Sequence, residues 1–208
     1  VLALAKGAAA GSDAQRLFVQ SLARRAVSAE QYAYLEALSK GTEVLEGLEM
    51  DLDLRWQLLF ALVRGGRAGE AEIAALLAED QSLTGSQNAA RARATVDSDE
   101  VRKETWHQIV EDTSIPNDTR WAMVQGFWSH ASTAPLKYEW CVDPYFDHID
   151  RAWDSHTFHI ASRLVQVMFP DLLAGYAPQA DLVKKSEEWL RNHQGRPESL
   201  KRLIGEKQ

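Results

Sequence analysis

Apolar residues recur along this chain at intervals of three and four, the spacing of one face of an α-helix. The segment from Asp13 to Ala26 is typical, with apolar positions at Leu17, Phe18, Leu22 and Ala23. Sustained alternation of apolar and polar residues is absent, and so are the Asn-Gly and Asp-Gly pairs of tight hairpins. The pattern predicts about ten helices of roughly 10–17 residues, joined by short linkers.

Capping signals place several of the helix ends. Ser12 is a candidate N-cap, and Ser28 with Gln31 forms a capping-box pattern ahead of a helix that Gly41 should end. Pro144 interrupts an apolar stripe that runs from position 138 to 153. We therefore expect either a kink there or a new helix capped by Asp143.

The segment "DLDLRWQLLFALVRGG" predicts a helix that is apolar on two flanks and ends at Gly65 and Gly66. One stripe holds Leu52, Trp56, Leu59, Phe60 and Val63, and the other holds Leu54, Leu58, Ala61 and Leu62. Such a helix packs between two neighbours. Helix pairs of about 40 residues favour stacking as in HEAT-like repeats. We predict an all-α fold, a HEAT-like α-superhelix of antiparallel helix pairs forming a single helical domain over 1–208, with an irregular helical bundle as the alternative.

Composition narrows the class of protein. With 45% hydrophobic and 25% charged residues among 208, the chain is typical of globular domains. No apolar run approaches the roughly 20 residues that span a bilayer, and a net charge of −7 argues against nucleic-acid binding. The single Cys141 fits a reducing compartment, so a cytoplasmic protein is expected. The start "VLALAKGAAAGSDAQ" lacks Met and does not resemble a signal peptide, so we expect a piece of a longer protein.

The stretch "DRAWDSHTFH", residues 150–159, is the candidate metal site. His156 and His159 would share one face of a helix, but Arg163 would lie one turn further on that face and oppose a bound dication. Zinc needs three or four converging ligands, and the motif His-Glu-x-x-His does not occur. We therefore predict no metal ligand in this chain, and expect Asp154 to cap a helix or pair with a neighbouring histidine.

No combination of a nucleophile with a general base can be recognised in the sequence either. Cys141 falls on an apolar stripe, where cysteines are inert, and neither a Gly-x-Ser-x-Gly elbow nor a phosphate-binding loop occurs. Asp51 and Asp53 suit a helix N-terminus, where Asp51 could pair with Arg55. We predict no catalytic residue in the chain. A set of arginines forms either a local basic patch or an ordinary solvated face: Arg64, Arg67, Arg91 and Arg93.

Three stretches carry a family resemblance through their order and spacing: "GLEMDLDLRWQLLFALVRGGRAGEAEIAALLAEDQSLTGSQNAARARA", "KETWHQIVEDTSIPNDTRWAMVQGFW" and "YFDHIDRAWDSHTFHIASRLVQVMFP". Their signature elements are Asp-Leu-Arg-Trp at 53–56, the turn from Asp80 to Gly85, Lys103 with Trp106, Gly126-Phe127, Tyr145-Phe146, Trp153 and Phe169-Pro170. The chain resembles, from about residue 12 onward, the C-terminal helical domain of the actinobacterial type of aminopeptidase N, a family of zinc metallopeptidases. Pro144 departs from the pattern, because the helix before Tyr-Phe usually runs on in this family.

The resemblance implies a non-catalytic domain that caps the active-site chamber of a peptidase and restricts or positions peptide substrates. Zinc and the catalytic motifs would belong to an upstream catalytic domain of the same polypeptide, so this chain itself would hold no cofactor. Its partners would be that domain and peptides, not nucleic acid or membrane. We select Arg55 and Trp121 as candidate peptide-contacting residues. The alternatives are a stand-alone α-solenoid scaffold that binds a protein or peptide, and an independent hydrolase.

Overall fold

Helices account for all the regular structure in the described part of the chain. The structure, a computed structural model, describes residues 1–174, 176 and 181–207. The prediction of an all-α fold built from successively packed helices is confirmed. Within the described ranges, no helix combines the length and the apolar character that a membrane crossing requires. The chain groups into two compact units, Val1–Ser98 and the part from Asp99 onward. The single domain over 1–208 stays a prediction.

The first unit consists of six helices. They are α1 (Leu2–Gly7), α2 (Asp13–Arg25), α3 (Ala29–Ser39), α4 (Leu52–Arg64), α5 (Glu70–Glu79) and α6 (Leu83–Ala94). Helix α4 is the centre of this unit, because it packs against α2, α3, α5 and α6. This arrangement confirms the prediction that the helix lies between neighbours.

The two apolar stripes of α4 belong to two separate hydrophobic clusters. Leu54, Leu58 and Ala61 are completely buried with side chains of α2 and α3. Trp56, Leu59 and Val63 pack instead with residues of α5 and α6. The stripes were predicted correctly except at Leu52, which is 40% exposed, and at the half-buried Phe60.

Helix ends in the first unit follow the capping signals. Ser12 caps α2, and Ser28 with Gln31 forms the expected capping box of α3. Helix α3 ends at Ser39, and Gly41 then adopts a positive φ of 69°, which favours glycine. The predicted stops and starts are confirmed at these positions because each depends on local contacts alone.

In the residues that the structure describes, the second unit contains six further α-helices and three short 3-10 helices. The α-helices are α7 (Asp99–Glu111), α8 (Asn117–Phe127), α9 (Val142–Ser155), α10 (Phe158–Val167), α11 (Leu182–Asn192) and α12 (Glu198–Gly205). The 3-10 helices are Trp128–His130, Pro135–Cys141 and Asp171–Leu173. Helix α9 packs against α7, α10 and α11, and α12 packs against α10 and α11.

A new helix begins close to Pro144. Helix α9 starts at Val142, directly after a 3-10 helix, so Pro144 lies in its first turn, where a proline removes no intrahelical hydrogen bond. Of the two predicted possibilities, the new helix is confirmed. The cap assignment is wrong, because Asp143 lies inside the helix and its carboxylate pairs with Lys185 at 2.6 Å.

A buried arginine joins the end of α7 to α8. Arg120 is 1% exposed, and its guanidinium donates to the carbonyl oxygens of Ile109, Asp112 (2.7 Å) and Ile115 (3.2 Å). The last carbonyls of a helix have no intrahelical donors, so they need such partners. Arg120 therefore supplies both a cap for α7 and the link between two helices.

Candidate functional site

Helix α4 begins at a cluster of charges that fixes its first turn. Asp51 is the N-cap, since its carboxylate accepts the backbone N–H of Leu54 at 2.9 Å. The same carboxylate binds the Arg16 guanidinium at 2.8 Å, and these hydrogen bonds hold the pKa of Asp51 below its ordinary value. The expected pairing of Asp51 with Arg55 is wrong, because Arg16 of α2 takes that place.

Arg55, one of the two candidate peptide-contacting residues, reaches across to α5. Its two terminal nitrogens each lie 2.8 Å from a carboxylate oxygen of Glu79, a two-point pair that lowers the pKa of Glu79. Both side chains are partly exposed, so solvent screens the pair and it adds little to stability. Arg55 is therefore accessible but already paired.

Arg55 lines an open cleft of about 230 Å³ among α3, α4 and α5. The cleft has an apolar floor of Leu59, Leu62 and Leu76. Charged side chains of both signs form its rim: Glu36, Lys40, Arg55, Arg67, Glu72 and Glu79. Such a mixed rim over an apolar floor suits a ligand with polar backbone and apolar side chains.

Directly beside Arg55, Trp56 closes the junction of α4, α5 and α6. Its indole Nε1–H donates to the Asp80 carboxylate at 2.8 Å, and that carboxylate also accepts the Ser82 hydroxyl at 2.6 Å. Ser82 in turn caps α6 by accepting the backbone N–H of Gly85 at 3.0 Å. The signature segments at 53–56 and 80–85 thus meet in one hydrogen-bonded junction, which we call the Trp56–Asp80 clasp.

Trp121, the other candidate, is half-buried on α8. The Arg163 guanidinium carbon lies over its ring, 4.1 Å from the centroid, in a cation–π contact. Arg55 belongs to the first unit and Trp121 to the second. The two candidate residues therefore do not form one site within either unit.

A second cleft, of about 240 Å³, lies among α2, α4 and α6. Phe60 and Arg91 form one wall, with the Arg91 guanidinium carbon 3.9 Å from the ring centroid. This cleft is not apparent from the sequence, because helical spacing assigns Phe60 to a core stripe and Arg91 to a surface patch. The partial exposure of Phe60 marks the cleft in the structure, and helical periodicity does not predict that exposure.

The other three arginines of the proposed basic patch are occupied. Arg64 donates to the carbonyl oxygens of Ala23 and Arg24, Arg67 pairs with Glu36, and Arg93 pairs with Glu70 at 2.6 Å: a set of caps and ion pairs rather than one surface. The four residues therefore do not act as a single basic patch.

The histidine stretch at 150–159 is not one helix. Helix α9 ends at Ser155 and α10 begins at Phe158, with His156 and Thr157 between them in extended conformation. His156 lies 3.0 Å through Nε2 from the carbonyl oxygen of Val110, whereas His159 is exposed. The shared face expected for His156 and His159 is therefore wrong. Asp154 neither caps a helix nor contacts a histidine, because its carboxylate binds Arg196 at 2.8 Å.

Another histidine pair, which the sequence analysis did not select, surrounds Glu111 at the end of α7. The Glu111 carboxylate contacts Nδ1 of His148 and lies 3.5 Å from Nδ1 of His107. Burial raises the pKa of Glu111, but the two histidines outweigh burial and the pKa falls below its ordinary value. Arg151 also donates to His148. In the described residues, no three His, Cys, Asp or Glu side chains are placed to hold a metal ion.

Cys141 is completely buried, as its apolar surroundings predicted. Burial raises the pKa of its thiol to about 12. A thiolate is the reactive form, and this environment strongly disfavours it. Cys141 therefore acts as a small core residue.

The fold and the Trp56–Asp80 clasp define a class of all-helical domains. In this class a central helix, here α4, is hydrogen-bonded to the turn between the two helices that follow it, here α5 and α6. The sequence matches the model of the ERAP1-like C-terminal domain over residues 2–207. The chain belongs to this family. Aminopeptidase N of Streptomyces lividans is 30% identical over 205 residues, which make up 99% of this chain. The chain spans 23% of that protein's length. The resemblance to the C-terminal domain of aminopeptidase N is confirmed.

Proposed function

We propose that this chain is the non-catalytic C-terminal domain of a zinc-dependent aminopeptidase N, where it walls the active-site chamber and restricts or positions peptide substrates. The observation that supports the proposal is the similarity itself, which takes in 99% of this chain but only 23% of an aminopeptidase N. Zinc, the catalytic motifs and the peptide-bond chemistry would lie in the remaining part of such a polypeptide. The present residues would act by contacting peptide away from the scissile bond.

Arg55 and Trp121 are the residues we propose for those contacts. Arg55 stands on the rim of a cleft with an apolar floor, and Trp121 offers a half-buried aromatic face beside a cation. A peptide would exchange with Glu79 for the Arg55 guanidinium. Both contacts would raise affinity for peptides long enough to reach them, while leaving the shortest substrates unaffected.

Steady-state kinetics on the intact aminopeptidase test this role. Arg55→Ala and Trp121→Ala should raise KM for peptides of increasing length by roughly three- to tenfold, and leave kcat/KM for a single aminoacyl reporter unchanged. Arg93→Ala is the matched control, because Arg93 makes an equivalent two-point pair with Glu70 outside this cleft. The proposed contacts are refuted if both variants behave as Arg93→Ala does at every peptide length.

A stand-alone scaffold is the alternative function, and the gene distinguishes it. A reading frame that encodes His-Glu-x-x-His upstream in the same polypeptide supports the aminopeptidase, whereas a gene confined to this chain supports the scaffold. An independent hydrolase would turn over an aminoacyl reporter as the isolated chain. We expect no turnover above background with or without zinc. Clear zinc-dependent turnover would contradict the proposal that this chain is non-catalytic.

A further inference from the structure

The cleft among α2, α4 and α6 is cationic although the whole chain carries a net charge of −7. Its lining includes the arginines Arg24 and Arg91 and the single carboxylate Asp53. A third arginine, Arg64, is close enough to Arg91 to lower the pKa of that guanidinium further, after burial. An acidic protein that gathers cations around an open cavity creates a local site for an anion.

Arg91 is the arginine of this cleft that most needs a partner. One face of its guanidinium rests on Phe60, and its Nε lies buried with no hydrogen-bond acceptor. Considering only the described ranges, Arg91 has no carboxylate or carbonyl partner, whereas the neighbouring Arg16, Arg55 and Arg93 each bind a carboxylate. A half-buried cation without a counter-ion is costly, so an incoming anion would be bound favourably.

The one carboxylate in the cleft cannot serve as that partner. Asp53 lies 3.4 Å from Arg16 of α2 and accepts the Gln57 side-chain amide at 2.8 Å, so its carboxylate is already engaged by other partners. The side chain of Arg24 is exposed and, like Arg91, has no ion pair in the described part of the chain. Arg24 and Arg91 therefore both line the cavity without a carboxylate partner in the described residues.

The other lining groups indicate what carries the anion. The cavity is several times larger than a carboxylate group, and the half-buried Phe60 ring offers apolar surface for an aliphatic stem. Asn88 adds an amide that suits a peptide backbone. A planar guanidinium edge matches a planar carboxylate in two-point geometry.

We propose that this cleft receives the side-chain carboxylate of an Asp or Glu residue presented on a polypeptide, bound by Arg91 and Arg24 against the Phe60 wall. The proposal stands independently of the peptidase function, since it concerns a binding event in the first unit alone. The polypeptide can be a free peptide or another segment of a longer protein, because both present the same group.

Nuclear magnetic resonance titration of the isotope-labelled 208-residue chain tests the site through the arginine Nε–H signals. The probes are acetyl-Ala-Glu-Ala-amide, its Gln counterpart, and acetyl-Ala-Gln-Ala with a free C-terminal carboxylate. The Glu peptide should shift the Arg91 signal with a dissociation constant at least about tenfold lower than the Gln peptide. Raising the salt concentration should weaken this binding.

Variants assign the effect to the cleft. Arg91→Gln and Arg24→Gln should each weaken binding of the Glu peptide by about tenfold or more. Arg25→Gln is the matched control, because it removes the same charge from α2 at a position outside the cleft lining. Arg24→Gln, at an exposed position, keeps the test valid if Arg91→Gln does not fold.

Three results would overturn the proposal. They are equal binding of the Glu and Gln peptides, binding that survives both cleft variants, and binding of the free C-terminal carboxylate alone. If the isolated chain binds the Glu peptide, competition in the intact protein separates the two sources. Unchanged affinity there points to free peptides, and affinity reduced by about tenfold or more points to an internal segment already in place.

Discussion

The Trp56–Asp80 clasp makes Gly85 intolerant of any side chain. Gly85 is the third residue of α6, and a Cβ added there would lie 2.6 Å from the Asp80 carboxyl carbon and still closer to the Asp80 carbonyl oxygen. Asp80 cannot move aside, because Trp56 and Ser82 both bind its carboxylate. Overpacking of this kind costs about 3 kcal/mol, while alanine in place of glycine in a helix returns about 1 kcal/mol. Gly85→Ala should therefore lower the free energy of unfolding by about 2 kcal/mol.

Urea unfolding followed by circular dichroism measures this difference. Gly7→Ala is the matched control, because Gly7 also lies in a helix of the first unit, and its added Cβ would meet no atom within 4 Å. The control should leave stability unchanged or raise it by up to about 1 kcal/mol. Hydrogen exchange should then accelerate around α5 and α6 in Gly85→Ala alone. If Gly85→Ala is as stable as Gly7→Ala, the clasp is not the rigid junction inferred from its geometry.

Three further predictions concern the second unit. Cys141 should resist iodoacetamide at pH 8 in the native chain and react once urea unfolds it, because burial raises the pKa of its thiol to about 12; rapid native labelling would contradict its burial. Burial lowers the pKa of His156 despite its bond to Val110, so the unfolded chain gains the proton first. Stability should therefore fall as pH drops from about 6.5 towards that lowered pKa, and His156→Gln should flatten this slope in pH-dependent urea unfolding. Arg120→Lys should cost at least about 3 kcal/mol in thermal or urea unfolding, because one ammonium cannot reach the carbonyls of Ile109, Asp112 and Ile115 together. Arg163→Lys, which keeps a cation near Trp121, should cost less than about 1 kcal/mol.

Helix identity was predictable from sequence because it depends on spacing and on nearby caps. The two stripes of α4 follow from the period of the helix, and the Ser28 cap requires only Gln31 three residues later. The break between α9 and α10 was not predictable, since neither glycine nor proline marks positions 156 and 157. A long-range contact accompanies it, because His156 binds the Val110 carbonyl oxygen 46 residues away.

Partners of charged side chains were the least predictable feature of the candidate sites. Spacing along α4 favoured Asp51 as the partner of Arg55, but Glu79, 24 residues away, binds Arg55 through both nitrogens. The stacking of Arg91 on Phe60 likewise joins α6 to α4. Helix packing determines each of these contacts, and local periodicity does not predict them.

The residues of the signature segments and those of the proposed binding site therefore have different roles. Trp56, Asp80 and Gly85 are joined through Ser82 by hydrogen bonds, so their presence explains why a chain of this pattern folds into packed helices around α4. The Trp56 indole N–H and both carboxylate oxygens of Asp80 are already engaged in these bonds. Arg91 is the opposite case, since its unpaired guanidinium contributes nothing to a local cap or ion pair in the described residues. A stability loss in Gly85→Ala combined with unchanged folding in Arg24→Gln would separate the residues that build this domain from those that bind.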